Sequence, residues 1–127
     1  SHGNLTLADA NPATPPLIDP AFLKDERDVA TLLAGVKRAQ QILQAPAFDE
    51  IRGKPVYATA SNNDDELIED IRNRADTIYH PVGTCKMGPD SDPMAVVDSS
   101  LRVRGIRNLR VIDASIMPSI VSGNTNA

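Results

Sequence analysis

Aromatic residues and cysteine are both scarce in this 127-residue chain. It has no tryptophan, two tyrosines, two phenylalanines and a single cysteine. Aliphatic side chains must therefore supply most of the hydrophobic core. One cysteine excludes an internal disulfide and any zinc site that needs several cysteine ligands. The length corresponds to one domain or to a piece of one.

Phosphate-binding fingerprints are absent as well. None of the seven glycines falls in a G-x-G-x-x-G or G-x-x-x-x-G-K-[ST] pattern, so the chain lacks the usual means of holding a nucleotide or dinucleotide. The formal charge of −4 and the scattered lysines and arginines disfavour nucleic acid as a partner, because phosphate binding needs a clustered basic face. No apolar run is long enough for a membrane span, and we expect neither a transmembrane segment nor a signal peptide.

Histidine is almost missing, which makes one position stand out. Of the two histidines, His2 lies in a Ser-His start typical of a tag remnant, so we set residues 1–2 aside. His80 is then the one group expected to titrate near neutral pH. Pro81 favours an extended backbone at His80, and a glycine-rich loop follows. A histidine fixed in this way is either a general base or a structural residue in a turn, and these residues alone leave both interpretations open.

Hydrophobic spacing predicts two helices. Asp25 is a candidate N-cap for a helix over residues 25–45, which must end before Pro46. Asn63 and Glu66 form a capping-box pattern at the start of a second, shorter helix. Alternating apolar and polar residues predict strands at five places: residues 4–8, 77–80, 95–98, 101–105 and 109–113. The predicted fold class is α+β, a mainly antiparallel sheet with two helices packed against it.

The densest series of motifs lies between residues 79 and 127. It includes His-Pro-Val-Gly-Thr at residues 80–84, Val-Ile-Asp-Ala-Ser at residues 111–115 and Gly-Asn-Thr-Asn-Ala at residues 123–127. This series resembles the C-terminal region of the glucose–methanol–choline (GMC) oxidoreductases, which are FAD-dependent alcohol oxidases and dehydrogenases. The ending Gly-Asn-Thr-Asn-Ala is similar to that of choline-dehydrogenase-like members. Residues 3–78 fit the substrate-domain segment of the family by pattern only.

The resemblance implies that most of the enzyme lies elsewhere. In the family, the FAD-binding domain with its glycine-rich fingerprint is N-terminal to this region, which agrees with the missing fingerprint. We therefore take residues 3–127 as a truncated C-terminal substrate-binding and catalytic domain. Its implied partners are the FAD-binding domain of the same chain and a small-molecule alcohol. FAD is the implied cofactor, although we do not expect this piece to bind it or to turn over alone.

The resemblance also assigns roles to five residues. His80 falls on the histidine that faces the flavin as a base, and Asn124 falls on a second position that carries histidine or asparagine in the family. Asp113 and Ala114 are implied to approach the FAD pyrophosphate and ribityl region. The backbone N–H of Thr125 is implied to point toward the flavin ring.

Alcohol oxidation gives His80 and Asn124 a chemical rationale. The hydroxyl proton must be removed while hydride leaves the carbon, and a neutral imidazole can accept that proton. A carboxamide can donate a hydrogen bond to the developing alkoxide without titrating. A His80–Cys85 nucleophile–base dyad is disfavoured, because no orienting acid belongs to the pattern and a small buried cysteine is the commoner case. A metal site made of these two residues fails on ligand count.

A non-enzymatic role is the competing interpretation of the whole chain. The same fold could survive as a binding or interaction module, or as the remnant of a pseudo-enzyme without flavin. A full-length protein that is yellow and bleaches with an alcohol would favour the enzyme.

Overall fold

The computed structural model describes residues 1–57 and 63–126. The chain divides into two compact units, which we call the N-terminal unit (Ser1–Asp76) and the C-terminal unit (Thr77–Ala127). The N-terminal unit contains two strands and two α-helices, whereas the C-terminal unit consists of turns, single β-bridges and one short 3-10 helix.

A short antiparallel ribbon opens the N-terminal unit. Strand β1 (Asn4–Thr6) pairs with β2 (Leu17–Asp19), with Leu5 opposite Ile18. The predicted strand over residues 4–8 therefore forms only in its first three residues. All six residues of the ribbon are exposed. Two strands alone are marginally stable in water, and within the described residues nothing buries this ribbon.

Helix α1 (Glu26–Leu43) follows the sequence prediction closely. Asp25 is the N-cap, and its carboxylate accepts the backbone N–H of Arg27 at 2.9 Å. A cap of this kind satisfies one of the donors that the first helical turn leaves unpaired. The helix ends just before Pro46, which begins a short 3-10 turn (Pro46–Phe48).

Helix α2 (Asp64–Arg74) is also confirmed. The side chain of Asn63 accepts the backbone N–H groups of Asp65 and Glu66, as the capping-box pattern predicts for the N-cap. Helix α2 packs on α1, and the buried side chains among the described residues of this unit are Val29 of α1 and Leu67 and Ile71 of α2. No α-helix within the described ranges is long and apolar enough to cross a membrane.

The predicted strands of residues 95–98, 101–105 and 109–113 are reduced to single bridges. Val97 bridges to Met87 in parallel and to Val103 antiparallel, and Arg102 bridges to Arg110. The extended runs are interrupted because Leu101, Gly105 and Asn108 have φ values of 65°, 76° and 62°. Such left-handed residues turn the chain and break a continuous ladder. Val97, with 0% exposure, is the centre of the small core of this unit.

The predicted strand over residues 77–80 is wrong. Tyr79 has a φ of 64°, and its backbone N–H donates to the hydroxyl of Thr77 at 3.0 Å. A threonine side chain that bonds to the backbone two residues later competes with strand pairing and favours a turn. His80 therefore follows a turn instead of ending a strand.

The α+β fold class itself is confirmed, in a form with less sheet than the sequence predicts. The antiparallel sheet is limited to β1 and β2, and the closest packing of the two helices is against each other. The sequence overstated the strands because alternation of apolar residues also occurs in closely turned loops.

Loss of the α2 cap should destabilise the protein measurably. In Asn63→Ala, the N–H groups of Asp65 and Glu66 lose their acceptor, and we expect a decrease in the free energy of unfolding of about 1 kcal/mol. Asn63→Asp keeps an acceptor at this position and serves as the control. The free energy of unfolding is measured by denaturant titration with far-UV circular dichroism. An equal decrease in Asn63→Ala and Asn63→Asp would contradict the capping role.

Asp98 should make the C-terminal unit sensitive to acid. Its carboxylate accepts the backbone N–H of Arg102 at 3.0 Å and that of Ser100 at 2.8 Å, and it pairs with the Arg102 guanidinium. The Arg102 N–H, together with the other bonds, lowers the pKa of Asp98 below its ordinary value. The stabilisation by ionised Asp98 is therefore fully present above about pH 4, which is the ordinary aspartate pKa of the unfolded chain. It is lost as pH falls through the lower pKa of the folded state.

We expect Asp98→Asn to be less stable than the native protein at neutral pH and to lose less stability between pH 5 and pH 2. The measurement is urea unfolding at a series of pH values. Glu50→Gln is the control, because Glu50 is an exposed acid with no bonded partner among the described residues. A pH dependence in Asp98→Asn equal to that of the native protein would exclude Asp98 as the source.

Candidate active site

His80 lies in the C-terminal unit and is held by one side-chain hydrogen bond. Its Nδ1 is 3.0 Å from the hydroxyl oxygen of Thr125, 45 residues later in the chain. Both residues are half-buried. The other ring nitrogen, Nε2, has no partner among the described residues. The imidazole is therefore anchored through one nitrogen and available through the other.

Backbone hydrogen bonds fix the loop that follows His80. The N–H of Cys85 donates to the carbonyl of Ser115 at 3.0 Å, and that of Met87 donates to Ile116 at 2.7 Å. These two bonds hold the loop against a short 3-10 helix, Ala114–Ile116. The Lys86 ammonium also pairs with Asp92 at 2.7 Å. Two motifs that are about 30 residues apart in sequence thus become neighbours.

Two glycines of this loop have a conformation or a spacing that a side chain would disturb. Gly83 has a φ of 92°, and a Cβ there would lie 3.4 Å from the carbonyl oxygen of Met117. A Cβ on Gly88 would lie 2.9 Å from the Cβ of Ala95. Position 83 therefore favours glycine because of its left-handed backbone, and position 88 favours glycine because Ala95 lies so close.

Asp113 organises the 3-10 helix from its N-terminal end. Its carboxylate accepts the backbone N–H of Ser115 at 2.8 Å and also the Ser115 hydroxyl. The Ser115 hydroxyl bond, followed by the backbone bond, lowers the pKa of Asp113, so the carboxylate is ionised at neutral pH. The backbone N–H of Ala114, the next residue, has no partner among the described residues and remains a donor for a ligand.

Asn124 lies beside the partner of His80. Because consecutive Cα atoms are about 3.8 Å apart, the His80–Thr125 bond brings the backbone of Asn124 into the neighbourhood of the imidazole. Asn124 is exposed, and its carboxamide makes no hydrogen bond within the described part of the chain. The backbone N–H of Thr125 also has no partner there. The turn therefore offers several polar groups to a ligand.

The side chain of Thr125 makes the contact to His80 that sequence reasoning missed. The sequence analysis gave this residue a role only through its backbone N–H. No local pattern connects residues 80 and 125, and only the fold brings the hydroxyl to the imidazole. Cys85 is half-buried and is bonded through its backbone, whereas His80 is bonded to Thr125. Within the described ranges, no three histidine, cysteine or acidic residues are grouped as metal ligands.

Comparison with known families identifies the class of protein. The family model described as GMC oxidoreductase matches residues 1–127. The chain therefore belongs to the GMC oxidoreductase family, whose members are FAD flavoproteins. The resemblance read from the motifs of residues 79–127 is confirmed, and the family model also covers residues 3–78, which fitted by pattern only.

Individual relatives point to alcohol-oxidising members of the family. The chain is 52% identical over its full length to an alcohol dehydrogenase [acceptor] from Pseudomonas putida, and it covers 23% of that protein. It is 47% identical over its full length to human mitochondrial choline dehydrogenase, of which it covers 22%. The crystal structure of pyridoxine 4-oxidase from Mesorbium loti matches 95% of the chain with a TM-score of 0.85 and 32% identity. The chain thus spans about a quarter of the length of these relatives.

The conformation of Gly83 gives a direct test of the loop. Gly83→Ala should destabilise the C-terminal unit by about 1–3 kcal/mol, because alanine is strained at a φ of 92°. Gly53→Ala is the matched control, since nothing lies within 4 Å of a Cβ at that position. The measurement is the thermal unfolding midpoint of the full-length protein. Equal midpoints for the two variants would contradict the strained loop.

Proposed function

We propose that this chain is the C-terminal, catalytic part of an FAD-dependent alcohol dehydrogenase or oxidase of the choline-dehydrogenase-like type. His80 accepts the hydroxyl proton of the alcohol, and Asn124 hydrogen-bonds the oxygen. The observation that carries this proposal is the His80–Thr125 hydrogen bond, which joins the turn of Asn124 to the imidazole and leaves Nε2 available. The alcohol and choline dehydrogenases among the relatives support a small alcohol as substrate.

Proton removal is the step that His80 performs. Alcohol hydroxyls do not ionise at neutral pH, so hydride can leave the carbon only as the hydroxyl proton is taken up. The Nε2 lone pair of a neutral imidazole accepts that proton, and the alcohol carbon becomes a carbonyl carbon. The ring leaves this step as an imidazolium with an N–H at each nitrogen. The bond to Thr125 keeps the ring in place before and after the proton transfer.

Asn124 stabilises the charge that develops on the substrate oxygen. Its amide group donates a hydrogen bond and stays neutral throughout, so it neither competes for the proton nor repels the imidazolium. A fixed neutral donor of this kind favours the transition state more than the neutral alcohol, because the negative charge on oxygen is greatest there. The exposure of Asn124 in this chain is consistent with a group that meets its ligand from outside.

The donor groups of the C-terminal unit fit FAD. The Ala114 N–H suits a pyrophosphate oxygen, and the Thr125 N–H suits an acceptor atom of the flavin ring. Asp113 keeps one carboxylate oxygen on Ser115, and its second oxygen can accept from a ribityl hydroxyl. Bound FAD would supply the acceptor for the hydride that leaves the alcohol carbon. The contribution of this chain is therefore binding, orientation and proton transfer.

The partner we propose for both units is the N-terminal, FAD-binding part of the same protein. Large apolar side chains are exposed in each unit, more than a stable monomer usually leaves in contact with water. The chain spans about a quarter of its relatives' length, which leaves ample sequence to cover them. We therefore propose that the 127-residue piece does not turn over by itself. These side chains include Leu5, Leu17, Ile18, Ile106, Leu109, Ile112 and Ile120.

Removal of the imidazole tests the proposed base. In the full-length enzyme, we expect His80→Ala to slow flavin reduction by an alcohol by about 10²–10⁴-fold, because the positioned base is lost. Stopped-flow absorbance at the flavin band measures the rate. Glu50→Gln changes an exposed side chain with no bonded partner among the described residues and should keep the native rate.

Equal rates for His80→Ala and the native enzyme would contradict the base assignment. A full-length protein that binds no flavin, or whose flavin is not bleached by choline, pyridoxine or short primary alcohols, would favour the non-enzymatic interpretation of the fold. The two outcomes are distinct, because the first is seen only in an enzyme whose flavin is reduced by alcohol, whereas the second is the absence of flavin or of its reduction.

A further inference from the structure

We propose that Thr125 is a positioning residue that orients His80 and accepts the Nδ1–H of its working tautomer. In this arrangement the Nδ1–H of His80 donates to the hydroxyl oxygen of Thr125, and the Nε2 lone pair is left to accept the alcohol proton. The inference rests on the proposed function, since it assigns a role to the group that holds the base. It concerns the Thr125 side chain, whereas the family resemblance implies a role only for its backbone.

The geometry singles out this pair. The distance of 3.0 Å between Nδ1 and the hydroxyl oxygen is that of a good hydrogen bond. It is the one hydrogen bond made by either ring nitrogen within the described part of the chain. Both side chains are half-buried, so water competes less for the bond than it would at a fully exposed site. The orientation of the imidazole therefore depends on this hydroxyl.

A neutral imidazole carries one proton, and its position decides whether the ring can act. If the Thr125 hydroxyl donated to Nδ1, the proton of the neutral ring would be on Nε2, and Nε2 could not accept another. If Nδ1–H donates to Thr125, Nε2 has a free lone pair directed away from the bond. Only the second arrangement gives a base at the available nitrogen. The partner of one ring nitrogen thus controls the chemistry of the other.

A threonine suits this role in two respects. Its β-branched side chain has few χ1 rotamers, so the hydroxyl stays in one place once the backbone turn is set. It is also neutral, so it orients the resting imidazole without favouring the imidazolium as strongly as a carboxylate would. After proton transfer the donor becomes charged, and the same bond to the hydroxyl becomes stronger. The hydroxyl therefore assists the step instead of opposing it.

The backbone is restricted on both sides of His80, so the orientation of the ring is set mainly by its bond to Thr125. Tyr79 is held at a φ of 64° by its N–H bond to the Thr77 hydroxyl, and Pro81 restricts the residue that precedes it. With the backbone fixed on both sides, the remaining freedom of His80 is the rotation of its side chain. The bond from Nδ1 to Thr125 removes that freedom.

The test uses the full-length, FAD-loaded enzyme in three variants. Thr125→Val keeps the shape of the side chain but has no hydroxyl, and we expect it to lower the rate constant of flavin reduction by about 10–100-fold, as for other partners that orient a working histidine. The substrate concentration for half-maximal rate should change little, because Thr125 does not bind the alcohol. Thr125→Ser restores the hydroxyl and should recover most of the rate. Ser122→Ala removes a neighbouring exposed hydroxyl and should have no effect.

The tautomer itself can be read without turnover. In a long-range ¹H–¹⁵N spectrum of native enzyme labelled at histidine, His80 is assigned by its absence from His80→Gln. We expect the resonances of a proton on Nδ1 and a bare Nε2, and we expect Thr125→Val to shift the mixture toward the other form. This measurement also decides the matter if Thr125→Val does not retain FAD.

Two results would overturn the proposal. The first is a proton on Nε2 of His80 in the native enzyme. The second is an unchanged rate constant of flavin reduction in Thr125→Val, in an enzyme whose flavin reduction is slowed by His80→Ala. If flavin reduction in His80→Ala were as fast as in the native enzyme, the assignment of His80 as the base would itself be wrong. Failure of the positioning role and failure of the proposed function therefore give different results.

Discussion

The C-terminal unit depends on a pair of backbone hydrogen bonds, Cys85 N–H to Ser115 and Met87 N–H to Ile116. They join the loop after His80 to the 3-10 helix, and the chain beyond that helix then reaches the imidazole with Thr125. A unit with no regular strand needs such bonds, because a small core centred on Val97 supplies little hydrophobic stabilisation. The polar groups of the site are thus ordered mainly by backbone contacts.

Local signals in the sequence were sufficient to predict where the two helices begin. Asp25 and Asn63 cap the helices they were predicted to cap, because an N-cap bonds to residues only two or three positions away. The strands of the C-terminal unit were predicted from alternation alone, and the left-handed residues Leu101 and Asn108 break them. Leucine is rarely left-handed, so no composition signal warns of this turn.

The family was predictable from the motifs, whereas the contact between His80 and Thr125 was not. The motifs of residues 80–84 and 123–127 identified the family, and the comparisons confirm it. The bond between His80 and Thr125 spans 45 residues and arises from tertiary packing, which no short motif encodes. Apolar exposure in the ribbon of Leu5 and Ile18 was not signalled by a local motif either, and the covering layer we propose for it is the FAD-binding part of the same protein.

All five residues to which we assign chemistry belong to the C-terminal unit, whereas the capped helices belong to the N-terminal unit. Substitutions in the capped helices therefore fall outside the unit that carries the proposed proton-transfer residues. Variation in one unit can accumulate without any change to the residues of the other.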